Sequence, residues 1–246
     1  MFRVTIICIC LHSTATRSDV FLMMPDDLIS SWCDALQHAL SNGDLPGTQA
    51  QQAMTPVPRR LASLGQTHQV RKGGVLILLY PGAEGMSFPV TLRSQRVLHH
   101  KGQISLPGGL QEVGDASLAG TALRETQEEI GVDPSHVRLL GKLTPVHATS
   151  SNSNVYPYVG FCATVPDFSL NPDEVTEVIE MSLNTLLDPT HREEEYRQIN
   201  DRRVRVPFFW LGAHKIWGAT AMILGEFAAI LSATPELARS PNHPAC

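Results

Sequence analysis

Cysteine is scarce in this chain and never spaced as C-x-x-C. Cys8, Cys10, Cys33, Cys162 and Cys246 include no C-x-x-C, so the sequence offers neither a disulfide framework nor a thiolate zinc site. A reducing, cytoplasmic setting is expected. No apolar run approaches the ~20 residues of a membrane-spanning helix, so no membrane partner is expected. Neither sign of charge dominates: 19 Lys and Arg stand against 24 Asp and Glu, for a net charge of -5. That balance argues against nucleic-acid binding through broad phosphate neutralisation, while leaving room for a local basic cluster that grips a small anion. Internal repeats and low-complexity tracts are absent. No Cys-His or Ser-His-Asp constellation stands out, which leaves covalent catalysis without support.

With 246 residues, of which 43% are hydrophobic and 17% charged, the chain suits one main domain with an appendage. The first 70 residues read as an N-terminal extension. "MFRVTIICICLHSTATRS" has the outline of a weak secretory signal; the alternative is a dispensable leader, with Met23 or Met24 as the true start. "PDDLISSWCDALQHALSNG" places Leu28, Trp32, Leu36 and Leu40 at helical spacing, and the Pro-, Gly- and Gln-rich stretch after it reads as a linker. The main domain is expected over 71–235, followed by a tail over 236–246. Val75 to Tyr80 form a continuous apolar run bounded by glycines, the pattern of a buried central strand. "FPVTLRSQ" is its expected partner. Further strands are expected near 137–143, 156–164 and 175–181, with a closing helix over about 219–231. Strands and helices mix without regular alternation, which predicts an α/β fold with a mixed sheet covered by helices.

Chemistry concentrates in "GGLQEVGDASLAGTALRETQEEIGV", residues 108–132. A helix is predicted from about Ala116 to Ile130, N-capped by Asp115, stopped by Gly131, and buried along Ala119, Leu123, Thr126 and Ile130. Glu125, Glu128 and Glu129 lie together beside that stripe and repel one another unless a cation sits over them. A hard divalent ion is the natural partner, since Mg2+ takes oxygen ligands and bridges carboxylates to substrate phosphates. Arg124, one turn before Glu128, is placed to orient it. The glycine loop "SLPGG" brings backbone N–H groups and a helix N-terminus to the same place, so phosphate and metal can meet there.

"RETQEEIGV" resembles the end of the Nudix box, with Arg124, Glu125, Glu128, Glu129, Gly131 and Val132 on pattern and Thr126 off it. Ala116 occupies the position of the box's first glutamate, and the nearby acid is Asp115. Upstream, "VTLRSQRVLHHKGQISLPGG" resembles the motif of the coenzyme A diphosphatase subgroup. Thr91, Arg93, Ser94, Gly102, Gln103, Ser105, Pro107, Gly108 and Gly109 are in register. Leu98 stands where a basic residue is expected and Leu106 replaces Phe; His99, His100 and Lys101 are the neighbours expected to supply charge. The likeness runs from about Gly73 to Leu231 and includes "IWGATAMILGEF". It implies an α/β/α sandwich and hydrolysis of coenzyme A and its derivatives to 3',5'-ADP and 4'-phosphopantetheine. Mg2+ or Mn2+ would be held by Glu125, Glu128 and Glu129. Substrate phosphates would meet Arg93, Ser94, His99, His100, Lys101, Gly108 and Gly109. The resemblance also points to an acid in "NPDEVTEVIEMSL"; of its Glu174 and Glu177, Glu177 is the expected base or outer metal ligand. Trp217 and Gly218 are expected to shape the start of the last helix, with Trp217 in the core. A small-molecule partner follows, and a homodimer is compatible. Hydrolysis of another nucleoside diphosphate derivative and a non-catalytic Nudix-like binding module remain the alternatives.

Overall fold

The computed structural model describes residues 26–58, 70–97, 101–199 and 201–238. It begins with helices α1 (Asp26–Ser41) and α2 (Gly47–Gln52), followed by strands β1 (Arg71–Gly82), β2 (Gly85–Arg93), β3 (Ile104–Ser105) and β4 (Gly108–Leu110). Helix α3 (Leu118–Ile130) leads to β5 (Arg138–Lys142), β6 (Val146–Ala148), β7 (Ser153–Phe161) and β8 (Val175–Ser182). A short α4 (Leu183–Leu187) precedes β9 (Arg192–Ile199), β10 (Arg202–Leu211) and β11 (His214–Trp217), and α5 (Gly218–Ala233) closes the fold.

β1 organises everything else. It pairs parallel with β7 and antiparallel with β2 and β4, so the eight-stranded sheet is mixed, in the order β3-β2-β1-β7-β5 with β4, β6 and β8 paired off that path. Successive side chains of a strand point to opposite faces. Leu76, Leu78 and Tyr80 therefore pack with Ala122 and Ile130 of α3, whereas Ile77 and Leu79 join the larger core that contains Ile223, Phe227 and Leu231 of α5. Because both faces are covered by helices, the run must be continuously apolar, as it is. Burying one such Leu or Phe stabilises the fold by about 1.5–3 kcal/mol.

Trp32, Cys33, Leu36 and Leu40 of α1 belong to that same larger core, so the helix expected in an extension shares its packing with the main sheet; Leu28 points to solvent at 54% exposure. The stretch read as linker contains α2. There Gln51 is buried and donates through Nε2 to Glu226 Oε2 at 2.8 Å and to the Thr144 carbonyl at 3.0 Å. Glu226 is itself fully buried in α5, and its other oxygen accepts from the Thr144 N–H at 3.2 Å. Residues 192–217 form a second antiparallel sheet, β11-β10-β9. Among the described residues no helix is long and apolar enough to cross a membrane.

Candidate functional site

Helix α3 starts two residues later than its sequence suggests. Ser117, not Asp115, caps it by accepting from the Gly120 N–H at 3.0 Å, and Gly131 closes it with a φ of 77°. Its buried residues are Thr121, Ala122, Thr126, Glu129 and Ile130; Ala119 and Leu123 are only partly covered, so the stripe is rotated toward the carboxylates. Asp115 is free of capping because Arg124 takes it. The Nε of Arg124 donates to Oδ1 at 2.9 Å and its Nη2 to Oδ2 at 3.1 Å, a bidentate pair. Asp115 also accepts from the Glu112 N–H at 2.9 Å and from Thr121 Oγ1 at 2.8 Å. The Arg124 bonds, followed by the Glu112 N–H, hold its carboxyl well below the usual range. The same guanidinium reaches Glu125 Oε1 at 3.0 Å, Glu128 Oε2 at 2.8 Å and the Leu110 carbonyl at 3.2 Å. Arg124 therefore ties the loop before the helix to two of its glutamates.

Glu125, Glu129 and Glu174 converge, each offering one oxygen within 4.8 Å of the others. Glu128 is outside this group: it is half-exposed and engaged by Arg124. Glu129 is only 1% exposed. Its Oε2 accepts from the Gly108 N–H at 3.0 Å and its Oε1 from Arg93 Nη1 at 3.3 Å. Burial pushes its carboxyl up to about 7; the Gly108 N–H and Arg93 oppose that rise, while Glu125 and Glu174 add to it. Glu125 is likewise raised, first by burial, with Arg124 opposing. Gly108 has φ 144°, open to glycine and little else, and a Cβ on Gly109 would meet the Glu125 carboxyl carbon at 2.4 Å. Backbone and carboxylates can approach this closely only because both loop residues are glycine.

Three crowded carboxylates, of which Glu125 and Glu129 have raised affinity for protons, form a set suited to a hard divalent cation: all donors are oxygen, and a cation offsets both the burial and the mutual repulsion of the charged forms. Glu125, Glu129 and Glu174 would hold it. Glu174 reaches the group because the turn before β8 is pinned to the helix end, the Asn171 N–H donating to the Glu129 carbonyl at 3.0 Å and the Ser94 N–H to the Glu174 carbonyl at 2.8 Å. Glu177 lies further along β8, opposite Leu92, and faces solvent away from the group.

Of the expected phosphate contacts, Arg93, Gly108 and Gly109 are at the carboxylates. Ser94 is buried, and its Oγ accepts from the Arg96 N–H at 3.2 Å, a role in the turn. Arg96 pairs with Asp173 at 2.7 Å and Lys101 is exposed. His99 and His100, with Leu98, lie outside the described residues.

Beside the carboxylates opens a cavity of about 420 Å³. Arg93 and Gly108 line it; Val75, Ile104, Leu106, Val155, Met222 and Ile223 supply apolar wall, and Trp217 is a half-buried lining residue rather than part of the core. Residues on both sides of the box build this space, which is why the box spacing alone did not disclose it.

The sequence matches the NUDIX domain family over residues 70–201, more than half of the chain. It is 35% identical over 175 residues to the uncharacterized Nudix hydrolase NudL of Pectobacterium atrosepticum, covering 70% of this chain and 89% of that protein. The NudL of Citrobacter koseri is 35% identical over 173 residues, covering 70% and 88%. Among solved structures, a MutT/nudix family protein from Enterococcus faecalis superposes with a TM-score of 0.47 at 15% identity, over 82% of this chain and 76% of that one. The chain belongs to the Nudix family, as a hydrolase acting on diphosphate bonds.

Proposed function

We propose that the protein hydrolyses the diphosphate of coenzyme A and its derivatives, with Mg2+ or Mn2+, to 3',5'-ADP and 4'-phosphopantetheine or its acyl form. One observation carries this reading. The segment that resembles the coenzyme A subgroup donates two hydrogen bonds to the Glu129 carboxylate, from Arg93 and Gly108, and the same two residues line the cavity. The subgroup-like motif thus lies between the carboxylates and the space a substrate would fill.

In this reading Arg93 meets the substrate diphosphate, where a guanidinium is suited to paired contacts with phosphate oxygens. Glu125, Glu129 and Glu174 are the ligand set. A divalent cation held by these carboxylates would neutralise phosphate charge and make water more acidic. Glu174, at the edge of the group and on a different element from the helix, takes the proton of the attacking water, a role the exposed Glu177 is less well placed to fill. The water oxygen forms the new P–O bond, the bridging P–O bond breaks, and the departing phosphate carries away the electron pair. Arg124 and Asp115 hold the helix and its preceding loop in register throughout. A cytoplasmic setting belongs to the proposal, since the buried thiols of Cys33 and Cys162 are unpaired.

Product analysis by chromatography and mass spectrometry tests it, using coenzyme A, dephospho-coenzyme A, ADP-ribose, NADH and a dinucleoside polyphosphate with each ion. Formation of 3',5'-ADP from coenzyme A, abolished by EDTA, is expected. Cleavage of ADP-ribose or NADH alone would overturn the substrate assignment.

A further inference from the structure

The second sheet carries a feature that the carboxylate chemistry does not use. Trp217, the last residue of β11, lines the cavity, while Arg197 of β9 lies over its indole with the guanidinium carbon 4.6 Å from the ring centroid. Trp217 lines the cavity and Arg197 does not. The cation is fixed in turn. Glu195 accepts from Arg197 Nε at 2.5 Å and also pairs with Lys215 of β11. Ile199 and Val204 of the same sheet, with Ala219 and Met222 of α5, continue the wall around the ring. Polar groups are available within this apolar surround, from Ser105 and Thr220.

A half-buried indole held rigid from behind by a guanidinium is more than filler. Core packing needs no ion-paired Arg at its back, and a ring locked in one plane loses little freedom when a second flat group settles against it. Arg93, the cation next to the carboxylates, lines the same cavity. A ligand that fills the space therefore meets both a charge and an aromatic ring.

We infer that Trp217, backed by Arg197, is a stacking platform for the adenine base of the substrate, so that the nucleotide end rather than the flexible pantetheine arm enters the cavity. The inference rests on the proposed hydrolysis of an adenine-bearing diphosphate, and the base, not coenzyme A as a whole, is what it assigns.

Calorimetric titration of the full chain with AMP and, separately, with 4'-phosphopantetheine, both in Mg2+, tests it; neither ligand contains a diphosphate bond, so neither is consumed. Trp217→Ala should weaken AMP about tenfold or more, the usual cost of losing a base-stacking partner. Trp217→Phe should restore most of that affinity, and 4'-phosphopantetheine binding should not change. Arg197→Gln, which leaves the ring in place, should give a smaller loss for AMP alone, and serves if Trp217→Ala does not fold. Unchanged AMP affinity in these variants, a loss confined to 4'-phosphopantetheine, or no AMP binding by the unaltered protein would overturn the inference. Coenzyme A turnover by the unaltered protein is read in parallel. Turnover with unchanged AMP affinity in the variants removes the platform and keeps the substrate assignment. Loss of AMP affinity without any coenzyme A turnover does the reverse.

Discussion

Gly109 lies so close under Glu125 that a single added methyl group would come within 2.4 Å of the carboxyl carbon. The contact falls on the end of a side chain, which can move, so Gly109→Ala should fold. It cannot do so and leave Glu125 beside Glu129 and Glu174. We expect turnover to fall about 100-fold, the scale of a displacement of about 1 Å at a reacting centre, with little change in melting temperature. Parallel loss of melting temperature and activity would mean that the loop, and not the carboxylate, had been disturbed.

Glu129 gives a pH signature. Its carboxyl titrates near 7 in the fold against an ordinary 4.5, so without metal the folded state holds a proton that the unfolded state releases. That contribution to stability is fully present below about 4.5 and is lost as pH rises through about 7. In EDTA, Glu129→Gln should therefore melt higher than the unaltered protein at pH 8, by on the order of 5 °C, with the gap closing toward pH 5. Mg2+ at pH 8 should raise the unaltered protein's melting temperature and leave the variant's unchanged. Thermal melts at both pH values check this, and turnover of the variant should be lower by orders of magnitude.

Glu174 and Glu177 separate cleanly by geometry. Glu174→Gln should reduce kcat by about 100-fold or more, the range of a lost general base, whereas Glu177→Gln should stay within about threefold. The reverse ranking, in steady-state kinetics with saturating Mn2+, would return the base to β8.

Asp115→Asn removes the negative partner of Arg124 while leaving the Ser117 cap intact. The guanidinium then keeps Glu125, Glu128 and the Leu110 carbonyl but loses its bidentate carboxylate partner, and we expect kcat to fall about tenfold, since positioning and not substrate contact is lost. Ser117→Ala should instead lower thermal stability, by about 1 kcal/mol, without altering kcat.

How much of this was legible from the chain varies with how local each cause is. β1 declared itself because a strand covered on both faces must be apolar throughout, and α3 declared its end because Gly131 alone accepts a left-handed turn. The start of α3 was misread for a reason outside local rules: Asp115 has the right chemistry for a cap, but Arg124, nine residues on, binds it bidentately, and Ser117 caps instead. Of two glutamates three apart the sequence favours Glu177, whereas the bonds from Asn171 and Ser94 bring Glu174 to the helix end. β9 escaped notice because "REEEYRQI" is an edge strand whose charges answer to Arg205, Lys215 and Trp217 on its neighbours, which leaves no alternation of apolar residues to detect.

The cavity draws wall from inside the family-matched span, at Val75, Ile104, Leu106 and Val155, and also from Pro56 and Pro58 ahead of it and Val204, Trp217 and Met222 beyond it, while every carboxylate of the converging group falls inside that span. Part of the cavity wall is thus written outside the stretch that carries the carboxylates. A protein trimmed to residues 70–201 would lose that part of the wall together with the core residues of α1 and α5 on which the sheet rests.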